Sequence, residues 1–335
     1  TFNETMSKVK FNPKVIEYDR FQPEFYEDTK TYIDKRTSNK KVKNAIKIYK
    51  QNQLLIDETI SKTKFLPDVI KYDRYQPEFY EDTKTYINKR TSNNKLTNGK
   101  KLFNKNKETI IKISNKYVID KNLLLSLMGI ETNFGKYLGK MDILSSLATL
   151  SFDKRRSEFF TSELITLLKL IDNNVVDSST LFGSWAGAFG NFQFMPSTIK
   201  NYAIDFDQDG KINLKQTDDS FASAANYLNK LGWIDSRPCF YKVNLKHNIP
   251  YDYLNISAKK IHSIKKVKYL KKYIKDSNFL NLHDNLNSAI VTPDAEIVKN
   301  PNKLSPAYIV FDNYKLILKW NRSLRFALAV CTLKE

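Results

Sequence analysis

Nine glycines serve 335 residues, and eight of them fall between Gly129 and Gly232. Glycine is needed where a backbone turns sharply or lets another group approach closely, so this clustering limits where tight turns and ligand-facing loops can lie. Residues 120–235 are therefore expected to hold the functional centre. The flanking sequence must build from elements that need few such turns, and periodic apolar runs predict a mainly helical fold.

One helix is predicted to start near Asp120, a good N-cap, and to stop near Gly135. Within it, LLLSLMGIETNFG carries a single acid, Glu131. At 100° per residue, Asn122, Ser126, Gly129 and Asn133 share one stripe, and Glu131 lies opposite among Leu124, Leu127 and Met128. An acid on an apolar face near a helix C-terminus is disfavoured as an anion, which suits a general acid. The alternative is a structural glutamate bonded to the backbone or to an arginine such as Arg155 or Arg156. FFTSELITLLKLID from Phe159 and SFASAANYLNKLG from Ser220 also have helical periodicity.

Lys and Arg number 55 against 36 Asp and Glu, a net charge of +19, so the surface should attract polyanions: nucleic acid, anionic lipid or carboxylate-bearing wall polymer. No RNP-like motif speaks for nucleic acid, and that partner is not expected. No window has the roughly 18 continuous apolar residues of a membrane span. The N-terminus TFNETMSKVK lacks an apolar signal core and begins at Thr, as it would if a leader were already removed. Cys239 and Cys331 can form one disulfide or remain two buried thiols, and with His247, His262 and His283 they show no metal-ligand spacing.

A segment of 35 residues from Thr5 returns 54 residues later from Thr59, with 28 positions identical. Two copies do not make a solenoid, so residues 1–58 are read as an extra copy and residues 59–118 as the copy that leads into the core. Residues 119–235 form the expected catalytic core, and residues 236–335 complete the cleft. The run AKKIHSIKKVKYLKKYIK in that last part reads as a solvated helix face.

Two further stretches carry chemistry. In GSWAGAFGNFQFMPS, from Gly183, three glycines alternate with Trp185, Phe189, Phe192 and Phe194, and Ser184, Asn191 and Gln193 supply polar groups. That mixture suits sugars, which offer apolar ring faces and hydroxyls; a tight helix contact lined by small residues is the rival reading. In DFDQDGKINLKQTDD, Asp205, Asp207 and Asp209 occupy positions one, three and five of an EF-hand-like loop, with Gly210 at six and the Lys211 carbonyl at seven. Position twelve is Gln216, so closure of a Ca²⁺ shell would fall to Asp218 or Asp219. The ion would be structural.

Taken in order, GIETNFGKYLGK, LATLSFDKRRSEFF, GSWAGAFGNFQFMPS, DFDQDGKINL and ANYLNKLGW resemble successive motifs of the membrane-bound lytic murein transglycosylase B family. DRYQPEFYEDTKTYINKRTS and YKLILKWNRSLRFALAV extend the likeness from about residue 72 to 331, while the first repeat copy has no assigned counterpart. The resemblance implies a lysozyme-like helical fold and cleavage between N-acetylmuramic acid (MurNAc) and N-acetylglucosamine (GlcNAc) in peptidoglycan. It implies Glu131 as catalytic acid, with Ser184, Gln193, Tyr227, Tyr86 and Asn321 as sugar-binding positions. Trp320 stands where the family often has Tyr. The likeness favours Asp219 as the closing calcium ligand, no organic cofactor, and a periplasmic setting with outer-membrane attachment left open. A hydrolytic muramidase, which would need a second carboxylate such as Asp142, Asp153, Glu158 or Glu163, and a non-catalytic glycan-binding module are the rivals.

Overall fold

A computed structural model describes residues 63–76, 80–153, 155–177, 181–295 and 304–335, with Lys50 and Ser61; the first repeat copy thus lies outside the described residues. Four helices come from the second copy and its continuation: α1 (Pro67–Arg74), α2 (Thr83–Arg90), α3 (Asn93–Lys105) and α4 (Lys107–Tyr117). Then come α5 (Lys121–Thr132), β1 (Met141–Asp142), α6 (Ile143–Phe152), α7 (Ser157–Asp172), β2 (Phe182–Gly183), α8 (Pro196–Tyr202) and α9 (Thr217–Leu231). Local chemistry explains the starts. Asp82, Asp120 and Asp142 each accept a backbone N–H at the head of α2, α5 and α6, and Pro67 and Pro196 open α1 and α8 with a pre-set φ.

The helix α5 differs from the two-faced element the sequence predicts. Leu123, Leu124, Leu127 and Met128 are buried, and so are Ser126 and Gly129 on the supposed polar stripe. The reason lies at the other end of the chain: α12 (Leu324–Lys334), buried along nearly its whole length, packs on that stripe and also against α2. A Cβ on Gly129 would meet the Phe134 ring at 2.7 Å, so the close contact there needs glycine. The helix stops at Thr132, three residues before Gly135. Asn133, Phe134 and Gly135 follow with φ of 50°, 60° and 78°.

Residues 240–310 hold a sheet that the sequence reading did not anticipate within its mainly α fold. The strands β3 (Phe240–Val243), β4 (Leu254–Asn255), β6 (Asn287–Val291) and β7 (Ala307–Val310) run in the order β3-β7-β6-β4, and β5 (Lys265–Lys266) pairs with β6. The β3/β7 and β6/β7 pairs are antiparallel; β4/β6 is parallel, with Leu254 opposite Ile290. The lysine-rich run is not one solvated helix. It becomes β5, the short helix α10 (Val267–Leu270) and a 3₁₀ turn over Lys271–Tyr273, and its apolar residues Val267, Leu270 and Ile274 are buried beside Ile290 and Ile309.

From the sheet the chain returns to the helical body as α11 (Asp312–Trp320) and α12. Cys239, just before β3, is joined by a disulfide to Cys331 in α12, resolving the choice the sequence leaves open. A buried cluster also crosses between distant segments. Asp294 accepts from the Thr83 backbone N–H at 3.0 Å and from Arg325 Nη2 at 2.7 Å, which compensates both charges out of water. Among the described residues no helix is long and apolar enough to cross a membrane.

Candidate active site

Glu131 sits in the last turn of α5, half-buried at the edge of the apolar face and not within it. Trp320 Nε1, from the end of α11 and 189 residues away, donates to Glu131 Oε1 at 3.1 Å. Arg155 and Arg156, the two arginines the sequence offers as partners, are engaged elsewhere. Arg155 Nε donates to Asp73 Oδ2 at 2.6 Å, Arg156 pairs with the other oxygen, and Asp73 is itself buried. The left-handed turn after Glu131 is fixed from below, where Thr132 Oγ1 donates to Asn191 O at 2.8 Å and accepts from Gly135 N at 3.0 Å.

Trp320 is also the centre of an aromatic wall. Its ring stacks on Tyr227 at 5.1 Å, and Tyr227 stacks on Tyr202 at 4.3 Å. Phe194 and Phe192 meet Trp320 edge-on at 5.3 and 6.2 Å. Tyr227 is half-buried and donates its hydroxyl to Lys319 O at 3.3 Å; burial, with a smaller contribution from Tyr202, pushes its phenol up to about 12. Half-buried, stacked rings beside a carboxylate form a surface suited to a sugar face.

The other expected sugar-binding residues divide. Ser184 is half-buried and its Oγ accepts from Ala188 N at 3.0 Å, shaping its own turn. Gln193, at φ 49°, donates to Leu138 O at 3.3 Å and Gly190 O at 2.9 Å, and so ties the loop after α5 to the glycine-rich loop. Asn321 follows Trp320 directly and is half-buried. Tyr86 is only 4% exposed, beneath the Arg90 guanidinium at 3.5 Å from its ring centre.

Within the glycine-rich stretch, Phe189, Phe192 and Phe194 are buried, which corrects their reading as sugar-facing rings. Asn191 is likewise structural, donating to Lys215 O and to Ser220 Oγ at 3.0 Å. The small residues serve close packing, though of turns and β2 and not the helix–helix contact of the rival reading. A Cβ on Gly139 would come within 2.0 Å of Gly183 O, so the loop after α5 can lie against β2 only with glycine there.

Three of the four candidate second carboxylates are occupied elsewhere. Asp142 caps α6 through Ser145 N at 2.6 Å, Asp153 pairs with Arg74 Nη2 at 2.8 Å, and buried Glu163 accepts from Ser197 N at 2.8 Å at the head of α8. Glu158 is exposed in the first turn of α7.

Asp205, Asp207 and Asp209 bring carboxylate oxygens within 4.8 Å of one another. Asp205 Oδ1 is buried without a hydrogen-bond partner among the described residues, while Oδ2 accepts from Gly210 N at 3.0 Å. Desolvation, then the neighbouring Asp219 and Asp209 carboxylates, raise the Asp207 carboxyl above its ordinary range. Lys211 donates its N–H to Asp209 Oδ1 at 2.8 Å. Asp219, 1% exposed, stands outside this trio and accepts from Phe206 N and Asn213 N at 2.8 and 2.7 Å, clamping both ends of the loop.

A lysozyme-like helical body carries a glutamate on a helix end beside an aromatic wall. The family described as the transglycosylase SLT domain matches residues 53–335 and, separately, residues 1–59; the chain belongs to that family. The second match gives the first repeat copy the counterpart that sequence reading could not assign. The chain is 41% identical over 133 residues to the membrane-bound lytic murein transglycosylase B of Escherichia coli (strain K12), an alignment covering 39% of this chain and 37% of that protein. Among solved structures it is similar to SltB3 from Pseudomonas aeruginosa in complex with NAG-NAM-pentapeptide, with a TM-score of 0.72, 29% identity and coverage of 84% and 73% of the two chains. It is also similar to the Escherichia coli lytic transglycosylase Slt35 in complex with calcium, with a TM-score of 0.70, 26% identity and coverage of 87% and 91%.

Proposed function

We propose that this protein is a lytic transglycosylase that cleaves the MurNAc–GlcNAc bond of peptidoglycan with Glu131 as the single acid and base. The observation that carries this reading is the setting of Glu131, a half-buried carboxylate bonded by the Trp320 indole beside the Tyr227 and Tyr202 rings, with Asp142, Asp153 and Glu163 engaged elsewhere. Glu131 gives its proton to the glycosidic oxygen as the bond from C1 breaks. The sugar's own N-acetyl oxygen stabilises the developing cation. The Glu131 carboxylate then takes the proton of the C6 hydroxyl while that oxygen bonds to C1, so the acid is restored and a 1,6-anhydro ring closes without water. An attacker already held in the same sugar has the entropic advantage over a solvent molecule. Tyr227, Ser184, Gln193, Asn321 and Tyr86 are the sugar-binding positions in this reading.

The relatives' names support the same substrate class, and the disulfide fits an oxidising compartment such as the periplasm. For the acidic loop we propose a structural Ca²⁺ held by Asp205, Asp207, Asp209 and the Lys211 carbonyl, with Asp219 bracing or closing the shell. The orphaned Asp205 oxygen and the raised Asp207 carboxyl are what a missing cation would satisfy. Mass analysis of a peptidoglycan digest tests the reaction. Products ending in anhydromuramic acid, about 18 Da lighter than hydrolysed ends, are expected. Reducing muramic acid ends would instead establish a muramidase.

A further inference from the structure

The last turn of α5 leaves one backbone carbonyl outside the helical ladder. Asn133 N–H, which would meet Gly129 O if the helix went on, bonds Met128 O instead, and Phe134 N–H bonds that same oxygen at 3.2 Å. Gly129 O accepts from the Lys95 ammonium of α3, 34 residues earlier in the chain. Among the described residues that ammonium meets no carboxylate within ion-pair distance. Its side chain is half-buried on the wall of a largely apolar cavity of about 180 Å³ between α3, α5 and α12, shared with Gly99, Leu125, Phe134 and Leu333. Burial, and then the nearby Arg90, hold the ammonium below the ordinary lysine range. Taking a cation out of water is costly unless a strong acceptor meets it. The carbonyl end of a helix, where backbone dipoles leave partial negative charge, is such an acceptor.

The same face of α3 also meets the chain beyond Glu131. Gly99, one turn after Lys95, is buried, and a Cβ there would come within 3.1 Å of the Phe134 ring. Lys95 therefore grips the residue two before Glu131, and Gly99 seats the ring three residues after it. Between them, Thr132 Oγ1 anchors the turn to Asn191 O. We infer that Lys95 is a positioning residue for Glu131: its bond to Gly129 O, with the Phe134 ring seated on Gly99, fixes the last turn of α5 so that the carboxylate stays at the Trp320 indole and at the bond to be cleaved. The effect on turnover rests on Glu131 being the acid and base; the positioning itself does not. A misplacement of about 1 Å in a reacting group can lower a rate about a hundredfold, so a bond remote from the substrate can act on turnover.

The test compares Lys95→Met, which keeps the apolar stem and removes the charged donor, with Lys95→Arg, which keeps both, and with Gly99→Ala, which presses on Phe134 and leaves Lys95 intact. Turnover and KM on glycan strands are read beside the NMR signal of the Trp320 indole N–H, one of three tryptophans and the one bonded to Glu131. Lys95→Met is expected to lower turnover about tenfold with KM nearly unchanged and to shift the indole signal, and Lys95→Arg to restore both. Gly99→Ala is expected to shift the same signal, and it replaces Lys95→Met in the kinetic comparison should that variant not fold. Unchanged turnover or an unchanged indole signal in folded Lys95→Met overturns the inference, whatever its melting temperature does. An arginine variant no more active than the methionine one overturns it as well. If Glu131→Gln, assayed alongside, keeps full turnover, the catalytic reading falls and the indole signals alone decide whether Lys95 positions Glu131.

Discussion

Trp320 meets Glu131 with an N–H and Tyr227 with a ring face, so one side chain both orients the carboxylate and builds the wall a sugar would rest on. Trp320→Phe keeps the stacking and removes the donor. Turnover is expected to fall about tenfold while KM for glycan strands changes little, since the lost hydrogen bond, worth about 1–2 kcal/mol, acts at the reacting carboxylate. Glu131→Gln removes the transferable proton, and steady-state digestion assays are expected to show a fall of about 10²–10⁴-fold with the melting temperature nearly unchanged. Near-full activity in a folded Gln variant would sink the assignment. Glu131 was legible because a lone acid on an apolar run is conspicuous within twelve residues of local sequence. Its partner was not, because no periodicity connects positions 189 residues apart. The buried state of Phe192 and Phe194 was hidden for the same reason: their covering groups, Phe221 and Trp320, come from other elements.

Among the elements, the acidic loop was the easiest to read, because its spacing is set by the loop itself and not by distant packing. Asp205, Asp207 and Asp209 converge as that spacing predicts. Calcium is expected to raise the melting temperature, and Asp207→Ala to abolish most of the rise; identical melting curves in calcium and in chelator would count against the site. The pH dependence has a definite sign. The folded Asp207 carboxyl is raised, by desolvation first and then by Asp219 and Asp209, so in chelator its ionisation disfavours the fold and acidification toward its titration range relieves that cost. Calcium needs the deprotonated ligands, so its stabilising increment should shrink as pH falls through that same range. Scanning calorimetry at several pH values, with and without calcium, measures both trends. The sheet was the opposite case. Its strands run from two to five residues, β5 consists of two lysines, and the alternation needed to recognise a strand barely has room to repeat. Lysines at the surface and isolated apolar residues at Val267, Leu270 and Ile274 mimic a solvated helix until the sheet supplies the other half of the core.

At the scale of the whole chain, the duplication offers two candidates for the same role, and the described contacts tie the second copy into the helical body. In the second copy, Lys64 N donates to Ser145 Oγ and Leu66 N to Thr149 Oγ1, Asp73 holds Arg155 and Arg156, and Thr83 bonds Asp294. These bonds join residues 64–83 to α6, to the segment before α7, and to Asp294 beyond β6, so removing the second copy would strip Arg155 and Arg156 of their Asp73 partner and Asp294 of its Thr83 donors. The family match to residues 53–335 contains all of these partners together with Glu131, Trp320 and the acidic loop. Lys62–Glu335 also forms a compact unit by itself. Deleting residues 1–54 is therefore expected to leave a chain that melts cooperatively and retains most of its turnover on glycan strands, whereas Asp73→Ala in the full chain should lower stability by about 1.5–3 kcal/mol, the cost of losing its charge-assisted hydrogen bonds to two part-exposed arginines. Chemical denaturation and digestion assays on the two proteins compare them directly. A deleted chain that folds but no longer cleaves would show that the first copy contributes groups to the cleft, and the equivalence of the two copies would then have to be abandoned in favour of divided roles.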